Sequence, residues 1–277
     1  VSALIPGPGE RIDRRHVFRI GGISVSLAAL VAACGDDRTG DTSPGRVGYA
    51  PPITDPPDYS VDDAVLLRTA SSLEYTILYV YEQLVAVVDG LDPAIQDLLA
   101  RVKADHEDIV QTLADLTEEA GGEPWECTNP WMMDRVVEPA LELIATSDDP
   151  TRDAFNFAVA LENLAASTHQ VYAVELSEAD LRIPSLEIAT LESRQAAAMV
   201  IAARGPEGYI SPAVIGEGVP TDEAGIPEQY AITDRFGSVA QTEVTLGPPD
   251  ENGVRESFTL QTPAENSYVY NELEPTC

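Results

Sequence analysis

Four long segments of this chain repeat apolar residues every three or four positions, and each carries an ionisable or amide residue inside its own stripe. From about Val61 to Val88 the stripe runs through Leu66, Ala70, Leu73, Ile77, Tyr81, Leu84 and Val88, with Ser60 and Asp62 as candidate caps. Asp92-Pro93 opens a second segment through Ile95, Leu99, Val102, Ile109, Leu113 and Leu116, closed by Gly121-Gly122. A third runs from about Pro150 to Leu176, and a fourth from about Ser185 to Ala203, bracketed by Pro184 and Gly205. Short loops make each pair antiparallel neighbours. The connection between the pairs is long, and within it Asn129-Pro130 caps a shorter helix that Pro139 is expected to kink. The resulting expectation is an up-down four-helix bundle with one long crossover.

Polar residues on the apolar faces set this chain apart from an ordinary bundle. Glu74 lies on the inner face of the first segment, while Glu82 falls further round. His106 sits in line with Leu99, Val102, Ile109 and Leu113, with Lys103 at the stripe's edge. Glu162 is flanked at three- and four-residue spacing by Ala158, Val159, Ala165 and Ala166, and His169 follows two turns on. Glu192 and Gln195 share the stripe of Ile188, Ala196 and Met199. A carboxylate in an apolar core costs several kcal/mol unless it is paired or bound to metal, so three glutamates converging on a histidine demand a common explanation.

A cation supplies one. Carboxylate-bridged metal sites in bundles take a Glu from each of two helices and Glu-x-x-His from each of the other two. Here the corresponding pairs read Lys103-x-x-His106 and Glu192-x-x-Gln195. The order is right, but a lysine and an amide replace two of the six usual ligands, which argues against a second metal. If a metal binds, the pattern points to one iron or manganese ion held by Glu74, His106, Glu162 and Glu192. Its competitor is a metal-free polar network in which Lys103 pairs with Glu74 or Glu192. His169 reads first as a core or rim histidine bonded to a carboxylate, and Tyr75, Tyr79 and Tyr172 as packing residues.

Three stretches carry this pattern further: Ala104-Asp105-His106-Glu107, Leu161-Glu162-Asn163-Leu164-Ala165-Ala166 and Glu192-Ser193-Arg194-Gln195-Ala196-Ala197. In them, over roughly residues 61 to 204, the chain resembles the exported ferritin-like domain proteins of actinobacteria. The resemblance implies a mainly α, ferritin-like four-helix bundle, with a carboxylate metal centre in the better-characterised relatives. Lys103 and Gln195 depart from that centre.

Outside the bundle, Arg14-Arg15 precede an uncharged apolar stretch of about fifteen residues ending in Val31-Ala32-Ala33-Cys34. This reads as a twin-arginine export signal over residues 1–33, joined to a lipid-attachment site at Cys34. Residues 34–60, with Pro51-Pro52 and Pro56-Pro57, read as a tether, residues 61–204 as the bundle, and residues 205–277 as an extension. In the extension Val244–Leu246 and Phe258–Leu260 alternate across a Gly247–Gly253 turn, and Tyr268 and Tyr270 alternate again, predicting a small antiparallel sheet. The expected location is the outer face of the cytoplasmic membrane or the cell envelope, with the lipid as the membrane contact. With Cys34 acylated, Cys127 and Cys277 are expected to form a disulfide, within the chain or between chains. The net charge of -31 repels phosphate backbones, which excludes nucleic acid as a partner. The acidic pairs Glu118-Glu119 and Asp148-Asp149 read as solvated helix ends.

Overall fold

The computed structural model of the protein describes residues 60–88, 93–212, 220–232, 241–275 and 277. The export signal, Cys34 and nearly all of the tether lie outside the described residues. Helix α1 spans Asp63–Val88 and α2 Pro93–Glu119. The crossover holds a short α3, Pro130–Met132, a wide π turn, Met133–Val137, and α4, Glu138–Thr146. Helices α5, Pro150–Glu175, and α6, Ala179–Arg204, complete the bundle. A tail follows with strands β1, Gln241–Leu246, and β2, Glu256–Gln261, and the single turn α7, Pro263–Asn266. Among the described residues no helix is long and apolar enough to cross a membrane.

Local chemistry explains where the helices start and stop. The Asp62 carboxylate accepts the Val65 N–H at 2.9 Å and caps α1, and Asp149 does the same for Arg152 at the start of α5. Gly121, at φ +82°, ends α2 in the left-handed region. Gly122 then runs so close to α1 that an added Cβ would lie 2.7 Å from that of Ala64. In the crossover, Asn129 caps α3 through its side chain. The expected kink at Pro139 is taken up by the π turn immediately before α4, whose wider winding accommodates the missing proline N–H.

Two local expectations are corrected. The fourth long helix begins at Ala179, not after Pro184, and the proline lies inside it. Pro184 is the sixth residue of the helix, beyond the free N–H groups of its first turn, and the helix continues through it with Leu181, Ser185 and Ile188 buried on one face. Tyr268 and Tyr270 do not form a third strand. Among the described residues the sheet has two antiparallel strands, with Val244 opposite Phe258. The segment around Val269 instead lies on α1, where its backbone N–H donates to Thr69 Oγ1 at 2.8 Å. Cys127 and Cys277 are joined by a disulfide, with Cα atoms 5.5 Å apart, and this ties the end of the tail to the crossover.

Helix α5 is buried on more sides than its stripe requires: Phe157, Ala160, Leu161, Leu164 and Ala165 are all enclosed. Strand β1 packs along it, and the Gly247 N–H donates to the buried Asp153 carboxylate at 2.7 Å. The apolar core falls into two main blocks. Leu73, Ile77, Val102, Leu161, Ala165, Met199 and Val200 belong to one, and Ala70, Ile109, Leu113, Tyr172, Leu176, Leu181 and Ile188 to the other. On each of the four helices an ionisable residue sits at the boundary between blocks: Glu74 on α1, His106 on α2, His169 on α5 and Glu192 on α6.

Candidate metal centre

Glu74, His106, Glu162, His169 and Glu192 are all fully buried, at 0% exposure. Helical periodicity brings the side chains inward from four different helices, and the imidazole of His106 is their hub. Its Nδ1 lies 2.7 Å from Glu74 Oε2 and 3.6 Å from Glu192 Oε1, and its Nε2 lies 3.0 Å from Glu162 Oε1. Glu162 Oε1 also accepts the Tyr81 hydroxyl at 2.6 Å. Glu74 Oε1 is bonded to His169 Nε2 at 3.0 Å. The structure therefore brings all four expected ligands together and adds His169 to the network.

Acceptors outnumber donors in this layer. Glu162 Oε2 and both oxygens of Glu192 are buried and meet no hydrogen-bond donor. Burial opposes charge on Glu74, but the hydrogen bonds from His106 and His169 outweigh it and hold its carboxyl at about 2. Burial also opposes charge on His106, yet the Glu192 and Glu162 carboxylates and the hydrogen bonds push the imidazole well above its ordinary 6.5. Glu192 goes the other way: burial and the carboxylates of Glu162 and Glu74 push it well above 4.5, against the pull of His106. Without a cation, then, the layer holds protons on His106 and Glu192.

Lys103 and Gln195, which stand at ligand positions in the usual pattern, make other contacts. Lys103 turns outward, with its Nζ 2.9 Å from Glu107 and 3.5 Å from Glu82, and reaches neither Glu74 nor Glu192. A long flexible stem lets an ammonium at the stripe's edge seek water and surface carboxylates. The expected pairing of Lys103 with Glu74 or Glu192 in a metal-free network is overturned. Gln195 donates from Nε2 to Asp105 Oδ2 at 2.8 Å, and its Oε1 is left without a partner. Tyr81 read only as part of an apolar stripe; its position seven residues, two turns, from Glu74 on one face was the signal for its hydroxyl.

Oxygen and nitrogen donors of Glu74, His106 and Glu192 all lie within 4.8 Å of one another. A ferritin-like domain model matches residues 62–204, slightly more than half the chain. The chain belongs to the ferritin-like domain family. No curated protein and no solved structure matches it. Within this ferritin-like domain, three buried carboxylate oxygens without donors and one imidazole form a donor set that suits a hard or borderline divalent cation. The two positions that would complete a second site are turned away, so the residues present fit one ion.

Proposed function

We propose that this ferritin-like domain binds a single iron or manganese ion through Glu74, His106 and Glu192, with the free oxygen of Glu162 beside them. The observation that carries this reading is the trio of buried, donorless oxygens on Glu162 and Glu192. Each would otherwise carry an unrelieved desolvation penalty of about 1–3 kcal/mol. A bound redox-active ion would supply one-electron exchange with an oxidant, suiting metal handling or protection from oxidative stress at the cell envelope.

The protein's own groups divide the remaining work. His106 would hold the ion through an unprotonated Nδ1, the displaced proton passing to solvent, while its Nε2–H on Glu162 fixes the ring's orientation. Tyr81 holds the same Glu162 oxygen and keeps that carboxylate in place. The apolar blocks on either side exclude water from the layer. Export and lipid anchoring at Cys34 are part of the proposal, supported by Arg14-Arg15, the small residues before Cys34 and the disulfide that suits an oxidising compartment. A Cys34→Ser protein that still partitions with membranes would end the anchoring reading.

The second reading is a metal-free bundle serving as a structural or stress-protective module. The raised Glu192 carboxyl favours it, because a proton there relieves the crowding of acids without any ion. Metal analysis after purification from cells supplied with iron and manganese separates the two. Near one equivalent of metal, with a rise in melting temperature on adding metal to the stripped protein, supports the ion. Less than about a tenth of an equivalent and no melting shift supports the metal-free bundle.

A further inference from the structure

His169 is a fully buried ionisable side chain of this layer that the four-ligand pattern does not use. It sits two turns beyond Glu162 on α5, at the boundary between the two apolar blocks, level with the layer that Glu74, His106 and Glu192 form. Its Nε2 is 3.0 Å from Glu74 Oε1, while the other Glu74 oxygen is 2.7 Å from His106 Nδ1. One carboxylate is thus held by two imidazoles, one on each oxygen. The edge of Tyr172, with ring centroids 6.3 Å apart, confines the His169 ring. His169 itself is not among the three residues whose donor atoms converge within 4.8 Å.

We propose that His169 is a positioning residue for the metal centre, a role that rests on the single-ion reading above. Its Nε2–H occupies Glu74 Oε1 and so presents Oε2, and only Oε2, to the ion. Three rotatable torsions otherwise leave a glutamate free to swing, chelate through both oxygens or bridge to a second ion. With Oε1 capped by a donor, bridging is closed. The imidazole comes from α5, whereas the second histidine of the usual pattern would stand at position 195, where Gln195 is turned to Asp105. His169 therefore does not replace that ligand; it fixes one that is already present, and the centre stays mononuclear.

Cobalt(II) titration of metal-stripped full-length protein, followed by its visible ligand-field bands, tests this together with calorimetric melting of the apo forms. Wild type is expected to take one equivalent. His169→Leu, which cannot donate, is expected to bind about 10- to 100-fold more weakly with shifted bands. His169→Gln places an amide N–H near the Nε2 position and is expected to stay within about threefold of wild type, with unchanged bands. If the leucine protein does not fold, His169→Asn takes its place, since its shorter amide mimics Nδ1 and misses Glu74; the same weakening is expected. Wild-type protein that binds no cobalt overturns the single-ion reading and this inference with it. Wild-type binding with an unchanged leucine variant overturns the inference alone. Two equivalents in wild type, or a glutamine variant as weak as leucine, also overturns it.

Discussion

Helix α1 carries two buried polar regions on different faces, and they are built on different principles. On the side covered by the crossover and tail, Ser71 Oγ donates to the Trp125 carbonyl, Thr76 Oγ1 to that of Ser72, and Asn129 Nδ2 to both Ser72 Oγ and the Ser267 carbonyl. Arg68 donates to the carbonyls of Glu123 and Leu273 and lies over the Trp125 ring. Donors there are matched chiefly to backbone carbonyls. On the inner side, around Glu74, charged acceptors exceed donors and three carboxylate oxygens have none. Donors set against backbone carbonyls fasten one piece of backbone to another. A surplus of buried acceptors holds a place for a cation or for protons.

The largest expected effect comes from removing the hub of the inner region. His106→Ala removes the imidazole around which Glu74, Glu162 and Glu192 gather, and is expected to destabilise the apo-protein by about 3–5 kcal/mol in urea unfolding. A loss no larger than that of an ordinary core truncation with no pH dependence would erase the distinction between the regions. Glu192→Leu should act in the opposite sense. It removes a carboxyl that has no donor, so the apo-protein is expected to gain about 1–4 kcal/mol while metal binding is abolished. On the outer face, Asn129→Ala is expected to cost about 1–2 kcal/mol and leave metal affinity unchanged, because its partners, the Ser72 hydroxyl, the Ser267 carbonyl and the Met132 N–H, lie outside the metal layer. Altered metal affinity in that variant would mean that the two faces are coupled.

Titration sharpens the contrast further. His106 and Glu192 both bind protons more tightly when folded, so their contribution is complete below about 6.5 and 4.5, respectively, and is lost as pH rises toward their raised folded values. The metal-free protein is therefore expected to melt at progressively lower temperature as pH rises above about 6.5. Metal affinity should rise over the same range, since the ion displaces protons. Glu74 acts at the other end: its contribution is present above 4.5 and disappears as pH falls toward about 2. Differential scanning calorimetry with and without manganese reads both trends, and a flat apo profile on the alkaline side would count against the proton-filled layer. The smallest effect belongs to Lys103→Met. Its ion pairs with Glu82 and Glu107 are at the surface, so the change should stay below about 1 kcal/mol and leave metal binding alone.

Much of the bundle was legible because helical spacing is a local property. Alternation at three and four residues, the Asp92-Pro93 start and the Gly121-Gly122 stop place their elements without reference to the rest of the chain. The inward direction of Glu74, His106, Glu162 and Glu192 follows from the same angle per residue. Pro184 was a poorer guide, because its effect depends on whether the carbonyl one turn back needs that N–H. The tyrosines at 268 and 270 misled because alternation signals an extended segment but names no strand for it to pair with.

The sequence by itself determined four helices, their order and the ionisable residues on their shared axis, since these depend on the angular period of a regular backbone. Only the tertiary structure decided which oxygen each imidazole nitrogen meets, that Lys103 turns to the surface, that Gln195 reaches Asp105 and that β1 covers α5. Those outcomes depend on the ends of long side chains and on partners carried by other helices, such as Glu162 for His106 and Asp105 for Gln195, whose positions are set by packing across helices and not by the local repeat.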